Sequence, residues 1–297
     1  MAVILITGSS TGIGYATSEV LARNGNKVYA TMRNPQGSPE LQQLAEAEKL
    51  PITLLPMDVL DDQSVQEAIG AVIAKEGQID VLINNAGVGS WGSVEQLEMD
   101  FFKRDMETNY FGTIRCIKAV LPSMRERKSG SIINVSSVAG KVYSNFHSAY
   151  CASKAAVEAF SEALAQEVKP FNIQIALVQP GVTETPIFKK VNAYPATMLY
   201  PNLKRFMSLF AASLENHIPP SIAANVINDI VEGKTNNLRN PAGPDAGPLL
   251  SWRAGTTDED WVNSVDIDDE TWVVFMEQNM GLNVRKYMEA DTMPQFN

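Results

Sequence analysis

The stretch "VILITGSSTGIG", residues 3–14, constrains this chain more than any other. Residues 3–6 are a short apolar run, and a helix-like pattern starts at Gly12 and continues to about Asn24. Between them lie Gly8, Gly12 and Gly14, so the order is buried strand, glycine loop, helix. Glycine is needed where the backbone turns tightly and approaches a pyrophosphate closely, with the N–H groups of a helix N-terminus as donors. Glycine spacing alone is weak evidence, but its place directly after the first strand makes it specific.

The alternation continues. "KVYATM", "ITLLPMD", "IDVLINNAG", "SIINVSS" and "IQIALVQPG" read as strands; residues 62–75, residues 100–127 and the segment carrying Tyr150 read as helices. Apolar strands separated by helices predict an α/β fold, a doubly wound parallel sheet with helices on both faces. The chain reads as one domain, with a catalytic unit over residues 1–235 and a C-terminal extension over residues 236–297. An insertion at residues 186–218 is rich in large apolar side chains, among them Phe188, Tyr194, Met198, Phe206 and Phe210. Loops beyond the carboxyl ends of the strands line the ligand crevice in such sheets, so the insertion is expected to be a substrate lid, with core or dimer packing as the alternative. "LRNPAGPDAGPLL", from Leu238, reads as loop. Thr257 with Asp260 reads as the cap of a short helix, and the acidic run after it as a solvated face. That run lacks the mid-loop glycine of a calcium-binding EF-hand.

Composition excludes several classes. Of 297 residues, 45% are hydrophobic, enough for a substantial core, and the formal charge is -10. Seven acidic residues and no basic ones lie between Asp258 and Glu270, so most of the imbalance is local. Without a Lys/Arg cluster the chain is a poor partner for nucleic acid or anionic membranes. Cys116 and Cys151 suggest neither a disulfide framework nor a metal knuckle, and His147 and His217 read as ordinary polar residues, so no metal site is expected. No signal segment or membrane span is read, which predicts a soluble cytoplasmic protein.

The segment "SAYCASKAAV" places Tyr150 and Lys154 four apart, on one helix face. A free tyrosine titrates near ~10. A fixed positive charge near ~4 Å is worth up to ~4 kcal/mol at an effective dielectric of about 20, or roughly three pKa units. Lysine is therefore expected to bring the phenol to ~7, where it donates and accepts protons efficiently.

Taken together, these motifs resemble the short-chain dehydrogenase/reductase family. "TGSSTGIG", "NNAG" at residues 84–87, Asn109, Ser137, Tyr150 with Lys154, and Pro180-Gly181 occur in the family's order, and the resemblance covers about residues 2–235. "KVYATMRN" and "AYCASKAAVEAF" are most similar to the branch of 17β-hydroxysteroid dehydrogenase type one and the photoreceptor retinol dehydrogenases. The resemblance implies a Rossmann fold and hydride transfer between a nicotinamide and an alcohol or carbonyl carbon. Tyr150 would exchange the proton, Lys154 would also hold the nicotinamide ribose, Ser137 would bind the substrate oxygen, with Ser136 the competing assignment, and Asn109 would anchor a relay water. Gly8, Ser10, Thr11, Gly12, Ile13 and Gly14 would cradle the cofactor. Asp58 and Val59 would meet the adenine, Asp58 having a helix-cap reading as its alternative. Asn85, Ala86 and Gly87 would line the adenosine and ribose, and Pro180, Gly181, Val182 and Thr185 the nicotinamide side.

At the end of the second strand an NAD enzyme commonly carries a carboxylate; here stand Met32 and then Arg33, whose fork suits a 2′-phosphate. NADP(H) is therefore expected over NAD(H). The substrate expected is a small apolar alcohol or carbonyl compound of steroid or retinoid size, and the family's habit implies a homodimer or homotetramer. Alternatives are a β-ketoacyl carrier-protein reductase and a nucleotide-sensing regulator without catalysis.

Overall fold

The structure is a computed structural model, described here for residues 1–188, 199–216, 218–294 and 296. Seven strands form one sheet: β1 (Val3–Thr7), β2 (Lys27–Met32), β3 (Ile52–Pro56), β4 (Val81–Asn84), β5 (Gly130–Val135), β6 (Ile173–Pro180) and β7 (Arg239–Ala242). Their order is β3-β2-β1-β4-β5-β6-β7, and every pairing is parallel. The chain reverses its direction of growth between β1 and β4, and a crevice opens at such a switch point.

Alternate side chains of each strand enter different cores. Leu5, Leu82 and Ile132 face α3 (Asp62–Glu76), α5 (Gly112–Arg127) and α6 (Ser148–Val168). Ile4, Ile6, Ile83 and Ile133 face α1 (Gly12–Arg23), α2 (Pro39–Glu48) and α8 (Pro220–Val231). Burial on both faces is why these strands read as continuous apolar runs.

Two expectations change. The helix expected over residues 100–127 is α4 (Met99–Met106), then a π-helical turn at Glu107–Phe111, then α5. Such turns insert an extra residue into the helical ladder, and Asn109 lies within this one. The segment read as loop after Leu238 contains β7 and then α9 (Ala246–Ala254). Pro241 is tolerated because β7 is the sheet edge, where a missing N–H costs no ladder bond on the open side.

Thr257 does cap a short helix, α10 (Asp258–Asn263), accepting from the Asp260 amide at 3.1 Å. The acidic run is more than a solvated face. Asp268 caps α11 (Asp269–Asn279), Asp269 pairs with Arg205 at 2.6 Å, and Glu270 pairs with Arg285 of α12 (Arg285–Glu289) at 2.8 Å. Within the insertion, α7 (Leu203–Leu214) has two packed sides. Ala212 meets Trp272, Val273 and Met276 of α11, while Phe206 and Phe210 face the crevice. Tyr194, Met198 and His217 lie outside the described residues.

Candidate active site

The crevice is a cavity of about 850 Å³ that runs from the glycine loop to the C-terminal helices. At its head, Gly8 and Gly12 have φ of 69° and 60°, a region that side chains disfavour. A Cβ on Gly8 would lie 2.7 Å from Ala86 Cα. The loop is held by "NNAG": Thr7 Oγ1 accepts from the Asn85 and Ala86 amides at 3.0 and 2.9 Å, and the Asn85 amide donates to the Thr7 and Gly8 carbonyls at 3.0 Å. Asn85 therefore spends its side-chain donors on the loop. Gly14 does not reach the cavity; a Cβ there would collide with the Gly8 carbonyl, so its task is helix-to-loop packing rather than the cofactor contact expected.

These groups fit a dinucleotide. Thr11, at the N-cap of α1, makes no side-chain cap bond and no acidic residue lies in the first turn, so the first amides and the helix dipole are open to an anion. Ser10, Thr11, Gly12 and Ile13 line the cavity, as do Arg33, Asp58, Val59, Ala86 and Gly87. Arg33 is exposed and makes no hydrogen bond or ion pair with a described residue. Asp58 Oδ1 accepts from Leu60 N at 3.0 Å, while α3 is capped by Asp61, so the helix-cap reading of Asp58 does not hold.

On the far side, Pro180, Gly181, Val182 and Thr185 also line the cavity, and Thr185 Cβ would be 3.2 Å from a Cβ on Gly12. The Val182 amide donates to Asp245 at 2.8 Å, and a Cβ on Gly181 would overlap the Asp245 carboxylate. Asp245 is 63 residues away in sequence, and nothing local marked it.

Ser137, Tyr150 and Lys154 line the same cavity. Ser137 begins a short 3₁₀ turn, accepts from the Ala139 amide at 3.1 Å and donates to the Pro180 carbonyl at 3.5 Å. The competing Ser136 also lines the cavity, and its buried hydroxyl has no partner among the described residues. Lys154 Nζ lies 5.7 Å from the Tyr150 ring centroid and donates to the Val135 carbonyl at 2.8 Å.

The expected tuning is reversed here. Burial pushes the phenol above its ordinary value, and the nearby Ser137 only partly opposes this. Burial also pushes Lys154 down to about 8, with Asp105 and Glu158 opposing. The ammonium sits over the ring and bonds a carbonyl, so its attraction for the phenolate does not offset desolvation of both groups.

Asn109 is 1% exposed and stands behind the cavity wall. Its Oδ1 accepts from Val88 N and its Nδ2 donates to Val88 O, each at 2.9 Å, with a further bond to Ser153 Oγ at 2.8 Å. The side-chain amide therefore positions the Val88 backbone.

Sequence reasoning missed two further residues. His147 lies in the cavity wall, stacked on Tyr150 with ring centroids 4.7 Å apart. Asp105 is fully buried, accepts from Ser90 Oγ at 2.8 Å, and is raised by burial above the usual carboxylate range. The free cysteines are packing residues, their thiols pushed up by burial to about 12 at Cys116 and about 11 at Cys151. Among the described residues no cluster of potential metal ligands occurs and no helix is long and apolar enough to cross a membrane.

A 3-ketodihydrosphingosine reductase of Bacteroides thetaiotaomicron is 42% identical over 179 residues, 60% of this chain and 63% of the relative, so the chain spans less than two thirds of that protein. Retinol dehydrogenase 8 of Bos taurus is 36% identical over 265 residues, 84% of each chain. A short-chain dehydrogenase structure from Streptomyces avermitilis superposes with a TM-score of 0.74 at 31% identity, covering 94% of this chain and 97% of that one. The family described as short chain dehydrogenase matches residues 2–196, and with this sheet, glycine loop and Ser-Tyr-Lys centre the chain belongs to it: the NAD(P)-dependent oxidoreductases acting on CH–OH groups.

Proposed function

We propose that the protein interconverts an apolar alcohol and its ketone or aldehyde, with Tyr150 as acid and base and NADP(H) as preferred cofactor. The observation that carries this reading is that Ser137, Tyr150 and Lys154 line one cavity, together with the glycine loop and an aromatic wall. The nicotinamide supplies or accepts the hydride. Ser137 orients the substrate oxygen toward the phenol, and Tyr150 donates its proton to that oxygen in reduction or takes it in oxidation. At neutral pH Lys154, near 8, is mostly protonated, and its remaining donors suit the ribose hydroxyls. Asn109 acts through the Val88 backbone, and Asp245 through the Val182 amide that would meet the carboxamide.

Substrate class follows from the wall. Trp91, Phe206 and Phe210 on one side and Trp252, Trp272 and Phe275 on the other favour a sizeable apolar molecule. Two of the relatives are named for retinol and 3-ketodihydrosphingosine. Arg33, just beyond β2 and without a partner among the described residues, lines the cavity with Thr11, which supports NADP(H). Residues 236–297 supply β7, Asp245 and the tryptophan wall, which supports one domain with residues 1–235. Exposed Met99 and Phe111 on the α4–α5 helix support pairing of copies through that helix and α6, and the free thiols support a reducing, cytoplasmic location.

The test is a size-graded panel of ketones, aldehydes and alcohols followed at the nicotinamide absorbance. Tyr150→Phe should keep cofactor affinity within a few-fold and lose nearly all turnover, whereas Lys154→Ala should damage both. Substantial turnover in purified Tyr150→Phe would sink the acid/base assignment.

A further inference from the structure

His147 is the residue before α6, one turn ahead of Tyr150. Its imidazole lies nearly flat on the phenol ring, with 12° between the planes, and its other neighbours are the rings of Trp91, Phe206 and Phe210 at 6.1, 5.9 and 5.8 Å. The residue is 7% exposed, and what surface it keeps faces the cavity. Neither ring nitrogen has a hydrogen-bond partner among the described residues.

An imidazole in an aromatic nest is a poor choice for packing alone. A phenyl ring fills the same volume and leaves no polar atom to satisfy, whereas these nitrogens need a partner that only the cavity can supply. Burial holds the ring neutral by pushing its pKa down to about 3, so it carries one N–H donor and one lone pair at physiological pH. Both are available beside the Tyr150 phenol.

We propose that His147 reads a second polar group on the substrate, so that the preferred substrate is an apolar carbonyl compound or alcohol with an additional hydroxyl or amino group next to the reacting carbon. The aromatic wall takes the apolar body, Tyr150 the reacting oxygen, and His147 the neighbouring group. This rests on the oxidoreductase reading for its placement of the reacting oxygen, and it adds a specificity-determining residue to that site.

The experiment compares dodecan-2-one with 1-hydroxydodecan-2-one, using the full chain and NADPH. The wild type should favour the hydroxy ketone by about tenfold or more in kcat/KM, a ratio that His147→Phe should bring close to one and His147→Gln, which keeps a donor and an acceptor, should partly retain. The ratio is the readout because any packing change in a variant acts on both ketones. His147→Leu repeats the measurement without a ring should the phenylalanine variant fold poorly. In parallel, binding of the two ketones is read without turnover from tryptophan fluorescence, since all four tryptophans line the cavity. A wild-type ratio of one, or a ratio unchanged in His147→Phe, overturns the role of His147 even while both ketones are reduced. A binding preference that His147→Phe removes, with neither ketone reduced, upholds His147 and overturns the oxidoreductase reading instead.

Discussion

Acid should destabilise this fold through His147 by an amount that can be worked out. In the unfolded chain the imidazole titrates near 6.5; in the folded protein burial lowers it to about 3. Its ring neighbours, Trp91, Tyr150, Phe206 and Phe210, bring no carboxylate that would hold the charged form. Between those two values the unfolded chain binds a proton that the folded chain does not, so stability is full above about 6.5 and declines as the pH falls toward 3. At about pH 5 the gap is about 1.5 pKa units, or about 2 kcal/mol at ~1.4 kcal/mol per unit. Because pH 5 lies well above the folded value, the figure is set by the unfolded one. Urea unfolding of the wild type and His147→Phe at about pH 7.5 and about pH 5 measures it as a double difference, in which the carboxylates and His217 cancel. The wild type should lose about 2 kcal/mol more than the variant over that interval. Equal losses, or an imidazole that titrates near 6 by NMR in the folded protein, would refute a buried neutral His147.

Arg33→Ala should weaken NADP(H) binding roughly 10-fold to 100-fold, the worth of a charge-assisted hydrogen bond, and leave NAD(H) nearly unchanged; equal losses for both cofactors in titration would show that Arg33 does not read the 2′-phosphate. Gly181→Ala drives a Cβ into the Asp245 carboxylate, so it should cost about 1–3 kcal/mol of stability and weaken cofactor binding together, and a variant with wild-type unfolding and affinity would contradict that packing. Amide exchange in α7 should slow when cofactor and a ketone bind, since Phe206 and Phe210 face the cavity; equal protection without them would make α7 a fixed wall.

Local chemistry made the architecture legible in the sequence. The apolar runs of β1, β4 and β5 are buried on both faces, so their composition alone shows a parallel sheet. The glycines at 8 and 12 announce a backbone conformation that other residues resist, and the i to i+4 spacing of Tyr150 and Lys154 places both on one side of α6 whatever surrounds it. Order and spacing of such signals required no knowledge of the rest of the chain.

Direction and partnership were decided by tertiary structure. Whether Tyr150 is a strong or weak acid depends on the balance of burial against charge, and burial, set by elements far apart in sequence, raises the phenol's pKa where the charge of Lys154 alone predicts a fall. Nothing along the chain shows that the Asn109 amide, set in the π-helical turn, bonds the Val88 backbone 21 residues away. Asp245 reaches Val182 across 63 residues and Asp269 reaches Arg205 across 64, and a tail that reads as loop and solvent face thereby becomes a wall of the cavity. His147 reads as an ordinary polar residue along the chain; three aromatic rings contributed by the loop at Trp91 and by α7 make it a buried imidazole beside the phenol. Periodicity and backbone conformation are properties of neighbours in sequence, whereas desolvation and pairing are properties of neighbours in space.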